Sequence, residues 1–321
     1  MGAELRVYRR RIRSVESTKK ITKAMELIAA SRIVKAQNRM NAAKPYAKEL
    51  QHALAELSGD RTLDHPMLTG VENPRRAGIL LVTSDRGLAG GYNANAIRSA
   101  NELAARLESE GKEVERFVIG RKGVAYYRFR HVDLAGAWTG FSEQPNFADA
   151  RGATEAVVKA LTATSEGEAE EGRAGIDELW VVYTRFVNSV TQTPTAVRVA
   201  PVKGSDDDGA EGRDNSDAKD EQDDDDNESM ASYEFEPEPA ELIGALLPRY
   251  ISSRIFSGLL ESAASESAAR RRAMKSASDN ATELIRTYTR LANQARQAEI
   301  TQEISEIVGG ADALAASGSE A

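Results

Sequence analysis

The two ends of this chain carry apolar repeats of the same period, although about 220 residues separate them. Near the N-terminus, Ala36, Met40, Ala43, Ala47, Leu50, Leu54 and Leu57 fall at alternating four- and three-residue steps. Near the C-terminus, Met274, Ala277, Ala281, Leu284, Tyr288, Leu291, Ala295 and Ala298 follow the same rule. A repeat averaging 3.5 residues leaves a narrow apolar seam that needs a facing helix. Neither end has a hairpin partner nearby in sequence. The spacing therefore predicts that the two ends pair with each other as an antiparallel coiled coil, closed by the chain between them. Such a rod points to a mechanical part before it points to a catalyst.

From Glu4 to about Leu57 the sequence reads as one long helix, roughly 80 Å at 1.5 Å per residue. Leu5, Tyr8, Ile12 and Val15 form one apolar block, and Ile21, Met25 and Ile28 the next. The phase slips between these blocks and the later heptads, which predicts an interrupted seam. Pro45 removes a backbone hydrogen bond, typically at a cost of about 3 kcal/mol. The heptad phase runs through it, so a bend is expected there rather than a break. A second helix is expected from about Pro239 to Val308, roughly 105 Å long, with Gly309-Gly310 as its stop and a frayed tail over 311–321. Its middle, Glu261 to Ala273, is rich in Ala and Ser. That composition thins the seam and allows close helix approach.

Between the helices the period changes. Residues 58–76 read as a connector, with Ser58-Gly59-Asp60, His65-Pro66 and Asn73-Pro74 as breakers. Strands are expected at 77–83, 113–119, 178–188 and 194–202, with helices at 93–110, 121–127 and 147–164. Strands alternating with helices imply a mostly parallel sheet covered by helices. The expected fold is thus α plus α/β. A coiled-coil helix (1–57), the connector (58–76), a Rossmann-like α/β domain (77–236) and a C-terminal coiled-coil helix with its tail (237–321) follow one another. Ser165 to Gly175 reads as a loop. Residues 204–229 hold thirteen Asp or Glu against Arg213 and Lys219, a net of −11. That composition cannot bury enough apolar surface to offset ordering entropy, so disorder is expected. The sheet is expected to resume at Ser232-Tyr-Glu-Phe235.

The total charge of −8 hides this asymmetry, since the chain outside the acidic stretch carries +3. Residues 1–50 alone hold thirteen Lys or Arg against four Glu. No apolar run approaches the roughly 18 residues that span a bilayer. The absence of cysteine excludes disulfides, thiolate metal sites and thiol switches. His52, His65 and His131 show no ligand spacing, so no metal or cofactor is expected.

One loop could hold phosphate: Thr83-Ser-Asp-Arg-Gly-Leu-Ala-Gly-Gly-Tyr-Asn93 follows the first strand and precedes a helix. It is neither a P-loop nor G-x-G-x-x-G. Its glycines are equally explained by a sharp turn approached by another backbone. The basic arm, Arg9-Arg-Arg11, Arg13, Lys19, Lys20 and Lys23, resembles a basic-zipper DNA reader in outline. An apolar stripe runs through it, however, which a groove-reading helix does not need. Facing an acidic protein surface is the sharper reading, and clothing the outside of the rod is the plainer one. A static scaffold and a small α/β nucleotide-binding protein or enzyme stand as alternatives on these residues alone.

Three motifs carry a family resemblance. The run Arg11-Ile-Arg-Ser-Val-Glu-Ser-Thr-Lys-Lys-Ile-Thr-Lys-Ala-Met-Glu-Leu-Ile-Ala-Ala-Ser31, the loop beginning Ser84-Asp-Arg-Gly-Leu, and Ile300-Thr-Gln-Glu-Ile-Ser-Glu-Ile-Val-Gly-Gly-Ala-Asp-Ala313 occur in this order. Together they resemble the gamma-subunit family of bacterial F-type ATP synthases, over essentially the whole chain except the acidic stretch. The resemblance implies a rotor shaft inside a ring of three alpha and three beta subunits. Its foot would meet the epsilon subunit and the membrane ring of c subunits, at the cytoplasmic face of the cell membrane. It implies no catalytic residue on this chain. It also implies contacts with the catalytic subunits at Lys23, Met25 and Glu26, at Arg86 and Gly87, and at Arg270, Arg296, Gln297, Thr301 and Glu303. Ala89 stands where the family often has Cys. Relatives from photosynthetic organisms insert a cysteine-bearing redox segment in the middle domain, whereas the insertion here has no cysteine, so that regulation is not expected.

Overall fold

The computed structural model describes residues 3–58, 66–164, 173–202 and 239–318. The acidic stretch 204–229 and the strand expected at 232–235 lie outside the described residues. The elements in chain order are α1 (Ala3–Ser58), α2 (Pro66–Thr69), β1 (Arg76–Val82), α3 (Tyr92–Ser109), β2 (Glu113–Ile119), α4 (Arg121–Phe129), β3 (Gly136–Trp138), α5 (Phe147–Ala163), β4 (Glu178–Phe186), β5 (Gln192–Ala200) and α6 (Pro239–Gly318). They form two compact units: Met1–Ala29 with Arg271–Ala321, and Ala30–Arg270. No helix among the described residues is long and apolar enough to cross a membrane.

In the larger unit the sheet order is β3-β2-β1-β4-β5. Strands β1 to β4 are parallel, and β5 runs antiparallel to β4. The central β1 is buried on both faces, which explains its unbroken apolar run. Its Ala77, Ile79 and Leu81 face α3 and α4, in a core with Ala96, Leu103, Leu107, Val124 and Tyr127. Leu80 and Val82 face the other way, toward Val157 and Leu161 of α5, Leu50 and Leu54 of α1, and Leu247, Ile251 and Ile255 of α6. The connector contributes to this second core through α2, where Leu68 is fully buried. Both α2 and the short β3 escaped the sequence reading, because four and three residues carry too little periodicity to register.

The heptad expectation needs two corrections. On α1 the inward positions are Leu5, Tyr8, Ile12, Val15, Lys19, Thr22, Glu26, Ala29, Ile33, Ala36, Met40, Ala43, Ala47, Leu50 and Leu54. The steps alternate three and four throughout, so there is no phase slip. The seam keeps its geometry and changes its chemistry, admitting Lys19, Thr22 and Glu26 while Ile21, Leu27 and Ile28 stand more than half exposed. On α6 the smaller unit's inward positions are Met274, Ser278, Ala281, Ile285, Tyr288, Ala292, Ala295 and Glu299. Four of the expected positions hold, and four shift by one residue. The expected Leu284 is 45% exposed, for example, while Ser278 is 6% exposed. Choosing the more hydrophobic residue of each neighbouring pair misleads at Ser278, Ala292 and Glu299. The side chain of Leu57 lies outside the described residues.

Pairing in the smaller unit is antiparallel: Tyr8 meets Tyr288 at 6.5 Å between ring centroids, and Thr22 meets Ser278. The two hydroxyls lie 2.7 Å apart and buried. Thr22 also donates to the Lys19 carbonyl at 3.1 Å, which leaves Ser278 to donate to Thr22. Thr22→Val alone strands the Ser278 hydroxyl and is expected to cost about 1–3 kcal/mol, whereas Thr22→Val with Ser278→Ala returns close to the parent. A denaturant double-mutant cycle reads this. Additive losses would show that the pair carries no coupling.

Three helix-breaking signals lie within helices. Pro45 lies exposed within α1, off the seam, and Pro248 lies within α6. Gly309-Gly310 do not stop α6, which continues to Gly318. A helical glycine costs about 1 kcal/mol relative to alanine, and the Ala-rich sequence that follows sustains the helix.

Candidate functional site

The richest polar constellation lies at the carboxyl ends of β1 and β2, within the larger unit, next to the β1–β4 step where the strand order reverses. Open α/β sheets place their sites at this switch point. The loop from Thr83 to Gly91 leaves β1 here. Thr83 Oγ1 donates to the Ile119 carbonyl at 2.9 Å and accepts from the Gly123 amide at 2.9 Å, tying the loop to β2 and α4. Asp85 accepts from the amides of Gly140 at 2.8 Å, Ser142 at 3.0 Å and Arg121 at 3.1 Å. The loop after β3 is thereby fixed beside it, bringing Glu143 into place.

α6 passes this loop buried around its whole circumference. Every residue from Ser262 to Arg270 is buried. The small side chains expected to permit close helix approach admit the sheet as well. Gly258 lies against the Tyr183 ring, the Thr184 amide donates to Ser262 Oγ at 3.3 Å, and the Tyr92 hydroxyl donates to the Ser262 carbonyl at 3.4 Å. Tyr92 is pushed well above the usual tyrosine range, chiefly by burial and secondarily by Glu266.

Arg270 ends this buried stretch. Its guanidinium bonds Glu266 at 2.6 Å and the Gly87 carbonyl at 3.3 Å, and its Nη1 lies 3.2 Å from Glu143. The other oxygen of Glu143 holds Arg32 of α1 at 2.5 Å and the largely exposed Arg86 at 3.4 Å. One guanidinium thus joins α6, the glycine loop and the β3 loop, and one carboxylate adds α1. The glycine loop turns its carbonyls, rather than its amides, toward the cluster. The amides of Ser84 and Asp85 are already taken by Asn93 Oδ1 and Ser142 Oγ. Toward Arg270 this loop acts as a guanidinium cradle, offering the carbonyls of Arg86 and Gly87.

Burial raises Glu266 above the ordinary carboxyl value of 4.5, with Arg270 opposing. A carboxyl raised on folding contributes its full stability below the unfolded value, and loses it as pH climbs through the folded one. Melting temperature is therefore expected to fall less steeply above pH 4.5 in Glu266→Gln than in the parent. Parallel curves would place the pH dependence elsewhere.

The residues singled out in the sequence fall in two places. Arg86, Gly87 and Arg270 come together in the cluster just described. Lys23, Met25 and Glu26 lie on α1 in the smaller unit, where Lys23 and Glu26 pair at 3.0 Å and Met25 is half-buried beside the seam. Arg296, Gln297, Thr301 and Glu303 are exposed on α6 in the same unit, and Thr301 caps the Gln297 carbonyl at 3.0 Å. Sequence reasoning missed Arg32, Glu143 and Glu266, and named Asp85 only as part of the glycine-loop motif. Only Glu266 left a signal, a carboxylate four residues before Arg270 on a predicted helix.

A family model described as ATP synthase matches residues 4–314. The ATP synthase gamma chain of Salinispora arenicola (strain CNS-205) is 54% identical over 324 residues, covering 100% of both chains. That of Acidothermus cellulolyticus (strain ATCC 43068 / DSM 8971 / 11B) is 52% identical over 320 residues, again covering 100% of both. Among solved structures, a chain of the Euglena gracilis mitochondrial ATP synthase (OSCP/F1/c-ring, rotational state 3) superposes with a TM-score of 0.62. It is 15% identical, with 98% of this chain and 95% of that one covered. A chain of the Tetrahymena thermophila mitochondrial ATP synthase (central stalk/c-ring) gives 0.55 at 21% identity, covering 80% and 99%. These distant structures speak for the fold. The family match and the full-length relatives speak for kinship, and the chain belongs to the family of ATP synthase gamma chains.

Proposed function

We propose that this chain is the central rotor shaft of an F-type ATP synthase. It couples proton-driven turning of a membrane c-ring to ATP synthesis in a surrounding ring of three alpha and three beta subunits. In this reading the terminal helical segments, 1–57 and 237–321, are the shaft. The α/β domain (77–236) is the foot, beside the epsilon subunit and the c-ring at the cytoplasmic face of the cell membrane. The chain binds no cofactor and supplies no catalytic residue. Nucleotide chemistry belongs to the beta subunits.

One observation carries this reading. α6 outruns α1, whose Leu5 lies level with Ala295 and Ala298. From Ile300 to Ala311 every described side chain is exposed, and Ile300, Ile304, Ile307 and Val308 make one apolar stripe. An apolar helix end without a partner among the described residues fits insertion into a ring formed by others. Lower on the shaft, the exposed Ile21, Leu27 and Ile28 alternate with Lys20 and Lys23 on α1. Such contacts are weak and exchangeable, with exposed ion pairs worth about 0–1 kcal/mol each. Contacts that must be released at every step need that weakness. Lys23, Met25, Glu26, Arg296, Gln297, Thr301 and Glu303 are assigned to this moving interface. Arg86 and Gly87 are assigned to the base of a beta subunit, while Arg270 supports them from behind.

Met25→Lys adds a cation beside the Lys23–Glu26 pair, where it competes for Glu26 and for acidic groups on the ring. Proton pumping per ATP hydrolysed in the reconstituted complex is expected to fall several-fold, with hydrolysis retained. An unchanged ratio would refute the assignment of this contact. Isolation of the chain without three copies each of two nucleotide-binding partners would refute the shaft.

A further inference from the structure

The α3–α4 side of the sheet carries a charge imbalance that its surroundings do not answer. Residues 116–132 contain five Arg or Lys and no Asp or Glu. α4 and the residue after it expose Arg121, Lys122, Arg128 and Arg130. Arg121 lies 3.9 Å from Asp85, and Arg130 sits over the Tyr126 ring at 3.8 Å. Lys122 and Arg128 have no ion pair among the described residues. Phe129 stands 83% exposed between Arg128 and Arg130. A groove between α3 and α4 is lined by Arg98, Lys122, Tyr126, Phe129 and Arg130, with Glu102 as its one acid. Arg116 pairs with Glu108 at 3.1 Å, but the exposed Lys122 and Arg128, with the aromatic rings beside them, form a recognition surface for an acidic chain.

The opposite charge is present in the same polypeptide. Residues 204–229 carry a net of −11, and the chain enters that stretch just after Val202. The end of β5 that leads there pairs Ala200 with Leu179, at the start of β4. This is the sheet edge from which the parallel strands begin; α4 starts at the opposite edge, where Arg121 meets Asp85, and runs back from it toward Arg128 and Arg130. Thirty-six residues lie between Val202 and Pro239, and a flexible linker of that length has a reach of about 33 Å. An α/β domain of about 130 residues has a radius of gyration near 14 Å, so the groove is within reach. Tethering supplies an effective concentration on the order of millimolar. That populates a contact built from individually weak ion pairs, which a free acidic partner would not fill.

We propose that the acidic segment 204–229 of this chain docks on the basic face formed by α3 and α4. The absence of native cysteine makes the test direct. Ser216→Cys is combined either with Ala125→Cys, on the exposed side of α4, or with Glu155→Cys, exposed on α5 across the sheet. Disulfide formation is followed in the full chain within its complex. The α4 pair is expected to close about tenfold faster than the α5 pair in about 50 mM salt, and to lose that advantage near 1 M, where screening shrinks to about 3 Å. Lys122→Glu with Arg128→Glu should abolish the advantage at low salt. The salt comparison stands without that variant should its folding suffer. Equal rates for the two pairs, a preference insensitive to salt, or capture of Ala125→Cys by another polypeptide would each overturn the proposal.

Discussion

Replacing Arg270 with alanine is expected to destabilise the folded chain by about 3–5 kcal/mol, the range for removing one partner from a buried ionic cluster. The argument lies in what is left behind. Glu266, 1% exposed, loses the guanidinium bonded to it at 2.6 Å. Glu143 loses the cation 3.2 Å away, and the Gly87 carbonyl loses its donor. Glu266 cannot turn to water without opening the packing around α6. Arg270→Lys keeps a charge but not the planar fork that reaches three elements, so it is expected to recover only part of the loss. Chemical denaturation, with yield of assembled complex as a second readout, measures both. An alanine variant within 1 kcal/mol of the parent would mean that the cluster is solvated in solution.

Gly120→Ala is expected to be comparably damaging, for a different reason. Gly120 has φ of +100°, and a Cβ there would lie 2.1 Å from the Thr83 carbonyl oxygen. That obstacle is backbone, so no rotamer relieves it. Shifting Thr83 also breaks its bonds to Ile119 and Gly123. A loss of about 3 kcal/mol or more follows from clash and backbone strain together. Gly140→Ala is the control. Its φ is +109°, but a Cβ there meets nothing within 4 Å. It should show the conformational cost alone, about 1–2 kcal/mol. Equal losses at the two glycines would remove the close approach from the account.

The paired terminal helices and the alternating sheet were legible because burial writes them into the sequence as period. Strand β2 is placed to the residue, since Glu113 to Ile119 alternates between breakers. What escaped has physical reasons. Ser278 and Glu299 occupy the seam where a reader of hydrophobicity picks Ala277 and Ala298, because a seam position is defined by geometry and not by chemistry. Arg32 and Glu143 left no signal because their meaning arises only when α1 and the β3 loop converge on Arg270. The glycine-rich loop drew attention to itself, but its use of carbonyls rather than amides depends on backbone direction, which residue identity does not encode.

The burial of α6 on every side from Ser262 to Arg270 has a mechanical meaning. A helix gripped on one stripe can roll or slide by exchanging one set of apolar contacts for another at little cost. This one is keyed. Turning it about its own axis against the sheet would break the bonds from Tyr92 and Thr184 and drag a guanidinium out of its cradle at the same moment. Within this unit, helix and sheet therefore turn as one piece, and twist applied to either is not lost to slippage between them.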